Sequence, residues 1–195
     1  MADTMTPSQR HSCMSKIHSK GTKPEIKFRK ALFSRGYRYR VNVRSLPGTP
    51  DLVLPKYRTV IFVNGCFWHG HKGCRQYTVP QTNTEFWVEK VRRNKERDEV
   101  NAQRLESLSW SVVTVWECEL KPKVFDETMA RVEAELRANK TKWETYCERR
   151  RADRAFARAE AKRKKAIREE VERELQEQFH IPVRISKMSR EDYDL

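Results

Sequence analysis

Gly48-Thr49-Pro50-Asp51-Leu52-Val53-Leu54-Pro55-Lys56-Tyr57-Arg58-Thr59-Val60-Ile61-Phe62-Val63 reads as two apolar strands joined by one tight turn. Leu46-Pro47-Gly48-Thr49-Pro50 brings the chain round, and Asp51 opens the first strand, Leu52-Val53-Leu54. Pro55-Lys56-Tyr57-Arg58 reverses it into Thr59–Val63, an unbroken apolar run of the kind buried on both faces of a sheet. Outward from this hairpin, Tyr37 to Val43 alternates like a further strand, and so does Trp110 to Glu117. Helical signals lie between and around them. Thr6-Pro7-Ser8-Gln9 is a capping box before a short helix to about Ile17. Thr22-Lys23-Pro24-Glu25 is another, before a helix that Gly36 ends. A long helix is predicted from Thr82–Glu85 to about Leu108, and one more from Pro122 to about Asn139. Strands alternating with helices predict an α/β domain built on a mixed sheet.

The hairpin also carries chemistry. A carboxylate at the start of one strand, with further ligands on its neighbour, suits a metal-dependent nuclease core. There, oxygen donors hold Mg²⁺, which activates water and offsets charge on a phosphate. Read alone, the same Pro50-Asp51 is an ordinary turn. Glu25 is a second carboxylate candidate, although its place three residues after Thr22 is also where a capping-box Glu belongs. Asp98 reads as a single charge on a solvated helix face.

Cys66-Phe67-Trp68-His69-Gly70-His71-Lys72-Gly73-Cys74 follows the hairpin and packs thiols, imidazoles and two large aromatics into one loop. Cys66, His71 and Cys74, with Cys118 after the later strand, make a Cys3His set suited to tetrahedral zinc. His69 is either an alternative ligand in place of Cys118 or a base beside the phosphate. Five cysteines is an odd number, and metal ligation fits it better than disulfides, with Cys13 and Cys147 left as free thiols.

Composition narrows the partner. Lys and Arg number 41 against 27 Asp and Glu, a net charge of +14, which favours a polyanion. Phe86-Trp87 precedes Lys90, Arg92, Arg93, Asn94, Lys95 and Arg97 on the predicted long helix, so aromatics and cations alternate there. Phe67-Trp68 and Phe86-Trp87 serve either as core or as apolar wedges that unstack base pairs. No apolar run is long enough to span a membrane and no signal-peptide apolar region opens the chain, so a cytosolic protein with no membrane partner is expected.

Pro47-Gly48-Thr49-Pro50-Asp51, Gly65-Cys66-Phe67-Trp68-His69, Thr84-Glu85-Phe86-Trp87, Asn94 with Arg97-Asp98, and Val115-Trp116-Glu117-Cys118 occur in that order. Together, over roughly residues 1 to 140, they resemble the very-short-patch-repair (Vsr) DNA mismatch endonucleases. The resemblance implies a restriction-endonuclease-like fold with a structural zinc. It implies a Mg²⁺-dependent enzyme that nicks one strand of double-stranded DNA 5′ to the thymine of a T·G mismatch, the lesion left when 5-methylcytosine deaminates. A bacterial, nucleoid-associated cytoplasmic enzyme, acting as a monomer, is implied with it. Residue by residue, Asp51 matches the principal Mg²⁺ ligand, and Glu25 a carboxylate near the site. His69 matches an active-site histidine, Asp98 the aspartate that orients a histidine, and Cys66, His71, Cys74 and Cys118 the zinc ligands. Phe67, Trp68 and Trp87 match aromatics that wedge into the duplex, Met14 a residue entering from the minor-groove side, and Lys90 and Asn94 contacts to the mismatched bases.

The chain departs from the family pattern just before Gly65, where Val63 and Asn64 stand in place of a Thr and a His. A Mg²⁺ ligand supplied by the Val63 backbone carbonyl survives that change. Asn64 cannot take a proton, so any acid–base role of that second histidine is lost or passes to His69. Two rival functions share these residues: a restriction-type enzyme cutting both strands, and a non-catalytic zinc-stabilised DNA-binding module. Retention of Asp51, Glu25, His69 and Asp98 argues against the second.

The sequence divides into a 1–141 nuclease-like domain, a 142–180 charged helical extension and a 181–195 tail. Ile167, Val171, Leu175 and Phe179 give the extension only a thin apolar stripe. Its basic clusters, Arg149-Arg150-Arg151 and Lys162-Arg163-Lys164-Lys165, invite flanking DNA, while the acidic run from Glu169 to Glu177 repels it. A solvated helix or an arm for a protein partner is the alternative reading.

Overall fold

The structure, a computed structural model, describes residues 21–179 and, ahead of them, Thr6, Ser8, Gln9, Ser12 and Ser15. At those early positions the capping box is seen directly: the Thr6 N–H donates to Gln9 Oε1 and the Gln9 N–H to Thr6 Oγ1.

Four strands form one sheet in the order β1 (Arg40–Val41), β2 (Leu52–Leu54), β3 (Thr59–Asn64) and β4 (Ser111–Trp116). The first two pairings are antiparallel, with Val53 opposite Val60 across the hairpin. β3 and β4 run parallel, Ile61 beside Val113 and Asn64 beside Trp116, and helix α2 (Thr84–Ser107) makes the crossover that parallel neighbours require. Helix α1 (Lys23–Ser34) precedes the sheet, and helix α3 (Phe125–Phe179) follows it.

Alternation along the strands sorts side chains to two faces. Leu52, Leu54, Ile61, Val113 and Val115 pack with Phe28 and Leu32 of α1 and with Met129, Val132 and Leu136 of α3. Val53 and Val60 pack with Leu105 of α2, joined by Phe62 and Val112. Asp51 shares its parity with Val53, Asn64 with Phe62, and Thr114 with Val112. These polar groups therefore sit on the α2 face, where the strands reach past the apolar core.

Local chemistry explains the boundaries. Gly36 (φ +87°) closes α1 in a Schellman motif: its N–H donates to the Phe33 carbonyl and the Tyr37 N–H to the Leu32 carbonyl. This delivers Tyr37 into the core instead of a strand. The extended run expected from Tyr37 to Val43 shrinks to Arg40–Val41, since Asn42 turns left-handed at φ +48°. On the other side of the expected order, the helix from Pro122 to Asn139 and the charged extension are one continuous α3 of 55 residues. No Gly or Pro lies between Pro122 and Pro182, so nothing in the sequence breaks it.

Backbone contacts divide the chain into two compact units, Met1–Trp143 and Glu144–Leu195. In the first, Arg58 (φ +49°) fastens the turn before β3. Its guanidinium stacks over Trp110 and Trp143 at 4.1 and 4.7 Å and donates to the Leu108 and Ser109 carbonyls. The second unit is a charged helix whose side chains are exposed from Glu148 to Glu170.

Arg58→Ala removes two cation–π contacts and two charge-assisted hydrogen bonds at once. We expect a loss of about 2–4 kcal/mol of stability in urea titration, with Arg58→Lys recovering only part, because an ammonium cannot span both rings and both carbonyls.

Candidate active site and metal centre

Glu25, Asp51, Asn64, Trp68, His69, Asn94, Arg97, Asp98 and Glu117 line one cavity of about 770 Å³ between the sheet and α2. The sequence places these residues far apart; the parity of β2 and β3 and one face of α2 bring them together.

Asp51 sits at the mouth of β2, where its Oδ2 accepts the Val63 N–H of the neighbouring strand at 2.8 Å. Burial pushes its carboxyl from an ordinary 3.8 up to about 6. The negative charge of Glu25 adds to this; the Val63 hydrogen bond, Arg29 and His69 oppose it. A carboxylate under such pressure, beside a strand-end carbonyl, suits a hard cation.

Glu25 is buried and both its oxygens are engaged: Oε1 accepts from the Thr22 hydroxyl and Oε2 from the Gly21 N–H. Half of the expected capping box forms, the Glu25 N–H donating to Thr22 Oγ1 at 3.4 Å, while the carboxylate reaches Gly21 and the Thr22 hydroxyl in place of the Thr22 N–H. The same residue also lines the cavity and acts on Asp51 through its charge, so the two readings of Glu25 are compatible.

The loop after β3 carries the rest. The ligand atoms of Cys66, His71, Cys74 and Cys118 all lie within 4.8 Å of one another. His71 Nδ1 is 3.6 Å from Cys66 Sγ and 3.4 Å from Cys118 Sγ. A tetrahedral ion with metal–sulfur bonds of about 2.3 Å and metal–nitrogen bonds of about 2.0 Å sets nitrogen and sulfur about 3.5 Å apart, which matches the two His71–sulfur distances, so the cluster could hold a metal ion. Trp116 stacks flat on the His71 ring, 4.1 Å between centroids, and fixes its plane. Burial pushes the Cys66 thiol up to about 12, and burial also raises Cys118, whereas the Gln76 N–H lowers Cys74. An ion must therefore displace protons to bind, which ties its affinity to pH.

This loop docks on α2. Gly70 (φ +59°) lies so close that a Cβ there would meet Val91 Cγ1 and Lys95 Cε at 2.5 Å. Asn94 Nδ2 donates to the Trp68 carbonyl at 2.8 Å, and His69 Nδ1 bonds Asp98 Oδ2. An ionised carboxylate accepts only, so His69 Nδ1 carries the proton of this bond. Above these contacts the rings of Phe67, Trp68, Trp87 and Phe86 cluster, with centroids 5.2 to 6.0 Å apart. Phe67, Trp68 and Trp87 are half-buried, Phe86 is exposed, and Lys90 is exposed one turn along the helix.

Of the residues expected from sequence, the structure brings Glu25, Asp51, Val63, His69, Asn94 and Asp98 to one cavity and groups the four Cys/His ligands beside it. Met14 lies outside the described residues. Arg97 and Glu117, which the sequence offered only within motifs, and Asn101, which it passed over, also line the cavity. The signal for Arg97 and Asn101 was available: Asn94, Arg97, Asp98 and Asn101 fall at i, i+3, i+4 and i+7, one face of a helix.

With this geometry in view, comparison with known proteins is decisive at the level of family. The profile of the family described as DNA mismatch endonuclease Vsr matches residues 2–76. The chain is 52% identical over 123 residues to the type II nicking enzyme V.NmeAIP of Neisseria meningitidis serogroup A, covering 63% of this chain and 87% of that one. It is 44% identical over 120 residues to the type II nicking enzyme V.XorIIP of Xanthomonas oryzae pv. oryzae, covering 62% of this chain and 88% of that one. It is likewise 44% identical over 131 residues to the DNA mismatch endonuclease Vsr of Escherichia coli, covering 66% and 83%. The chain belongs to the Vsr family and is a DNA endonuclease.

The raised pKa of Asp51 yields a stability test. The folded protein holds this proton more tightly than the unfolded chain, so it binds more protons between about pH 4 and pH 6. Stability conferred on the protonated form is therefore lost as pH rises across that window, and the penalty is complete above about 6. Asp51→Asn keeps an oxygen for the Val63 N–H but has no charge to bury. We expect it to stabilise the protein by about 1–3 kcal/mol at pH 7.5 without divalent cation and to flatten the pH dependence, read by urea titration at several pH values.

Proposed function

We propose that this endonuclease is a Mg²⁺-dependent, strand-specific mismatch nickase that cuts 5′ to the thymine of a T·G pair, on a restriction-endonuclease-like core braced by one structural zinc. The observation that carries the reading is the His69–Asp98 pair held in the same cavity as Asp51. An imidazole with an exposed lone pair and a poised carboxylate are what phosphodiester hydrolysis needs from a protein.

The donor sets support both ions. Asp51 and the Val63 carbonyl would hold Mg²⁺, and Cys66, His71, Cys74 and Cys118 would hold zinc in a closed structural site. Bound Mg²⁺ supplies positive charge against the phosphate and a more acidic water. The chain's own groups do the remainder. Asp98 keeps the His69 proton on Nδ1, so Nε2 is free to take a proton from the attacking water. Glu25, pinned at the start of α1, keeps negative charge beside Asp51 and so favours a cation there. Asn64 lines the same wall but cannot exchange a proton, and among the described residues His69 is the imidazole that faces the cavity.

Selectivity falls to the aromatic cluster. Phe67, Trp68 and Trp87 stand ready as wedges, and stacking is easiest to break where a mismatch has already weakened it. Asn94 gives its amide N–H to the Trp68 carbonyl, which leaves Oδ1 for a base, while Lys90 is free to reach the same groove.

The direct experiment is single-turnover cleavage of T·G, other mismatched and matched duplexes, with the cut strand mapped. We expect one nick, on the thymine strand of the T·G duplex. Asp51→Ala should abolish it while duplex binding persists, and His69→Gln and Asp98→Asn should each slow it by roughly 10²–10⁴-fold. Asp98→Asn that nicks at the wild-type rate would remove the dyad from the mechanism. For the second ion, elemental analysis should find one zinc per chain. Cys118→Ala should lose it together with much of the fold, since metal binding and folding are coupled.

A further inference from the structure

The mechanism above leaves the second unit without a task. Its helix carries Arg151, Arg154, Arg158, Lys162, Lys165 and Arg168, all exposed, at spacings of three and four residues. At 3.6 residues per turn these six fall on one arc of about 120° and form a ridge about 26 Å long. Asp153 and Glu160, the carboxylates within that stretch, project from the far side of the helix, where the exposed Phe156 and Ile167 also lie. Lys165 pairs with Glu169 at 3.4 Å; among the described residues the other five make no ion pair. Glu169 and Glu172 then end the ridge on the same arc.

A single-signed stripe at this spacing works against the helix that bears it, because like charges at i and i+4 destabilise by a few tenths of a kcal/mol each. A helix that only needed solubility would intersperse both signs, as α2 does with Arg92 between Glu89 and Glu96. A row of phosphates removes the conflict. Duplex DNA offers one phosphate per about 3.4 Å of axis on each strand, or about seven along the length of the ridge. The partner class is already supplied, since the enzyme acts on DNA.

We propose that the Arg151–Arg168 ridge is a second, sequence-blind DNA-binding surface that takes the phosphate backbone of duplex DNA. It goes beyond the catalytic reading and does not depend on it. The ridge makes no base contact and adds equally to matched and mismatched duplex, with a strong dependence on salt.

The test measures binding of the full chain to a matched duplex across a salt series without divalent cation, so that the outcome is independent of which bond the enzyme cuts. One variant neutralises the ridge: Arg154→Gln, Arg158→Gln and Lys162→Gln. A control removes the same charge off the ridge: Arg149→Gln, Arg163→Gln and Lys164→Gln. Gln preserves helix propensity, and circular dichroism checks that it does. We expect the ridge variant to bind roughly tenfold to a hundredfold more weakly at 50 mM salt and its log–log salt slope to fall by about two to three, the control by less than one. A third variant, Arg154→Lys and Arg158→Lys, should retain the affinity. Equal losses in ridge and control variants would reduce the effect to net charge and overturn the proposal, as would no loss in either. Ridge-dependent binding to phosphatidylserine vesicles, with an unchanged duplex slope, would also overturn it in favour of a lipid surface.

Discussion

The docking of Gly65–Cys74 on α2 is the constraint from which the chemistry of this protein follows. Three independent contacts fix it. The Cys/His cluster ties both ends of the loop to the strand end at Cys118. Gly70 permits an approach to Val91 and Lys95 that no side chain would allow, and Asn94 grips the Trp68 carbonyl. The consequences run in two directions. Toward the cavity, His69 meets Asp98; toward the surface, Phe67 and Trp68 meet Trp87. One loop thus sets both the His69–Asp98 pair and the aromatic cluster, which share a single support.

Opposing demands meet at Asp51. The fold buries it near the negative charge of Glu25 and offers the Val63 N–H and the positive charge of Arg29 in return, so its carboxyl is pushed up to about 6. Glu25 combines two tasks, since one carboxylate ties down Gly21 and Thr22 at the start of α1 and adds negative charge beside Asp51.

Much of this was legible in the sequence, for identifiable reasons. Hairpin, crossover helix and parallel strand follow from apolar runs and turn residues, and the Cys3His set from ligand type and spacing, because these are local signals. The short β1 was not legible: whether Tyr37 belongs to a strand or to the core depends on the left-handed turn at Gly36 and on packing against Tyr57. Nor was the place of Glu117 on the cavity wall, since a charge at a strand end looks the same whether it faces solvent or a cleft. Asp98 shows the difference. On sequence it is one charge on a polar face, and only the docked loop brings His69 to it. The continuity of α3 was readable, though: the absence of Gly and Pro over the 59 residues from Lys123 to Ile181 leaves a helix no place to stop, and a change of composition does not end one.

The central claim is that the docked loop presents His69 to Asp98 as the Nδ1–H tautomer. Heteronuclear NMR of the imidazole nitrogens in metal-loaded protein, before and after chelation, tests it most directly. The account predicts a protonated Nδ1 with a slowly exchanging, downfield proton that disappears in Asp98→Asn and on removal of the ion. A His69 that is protonated on Nε2, or whose signal is indifferent to chelation, would contradict it.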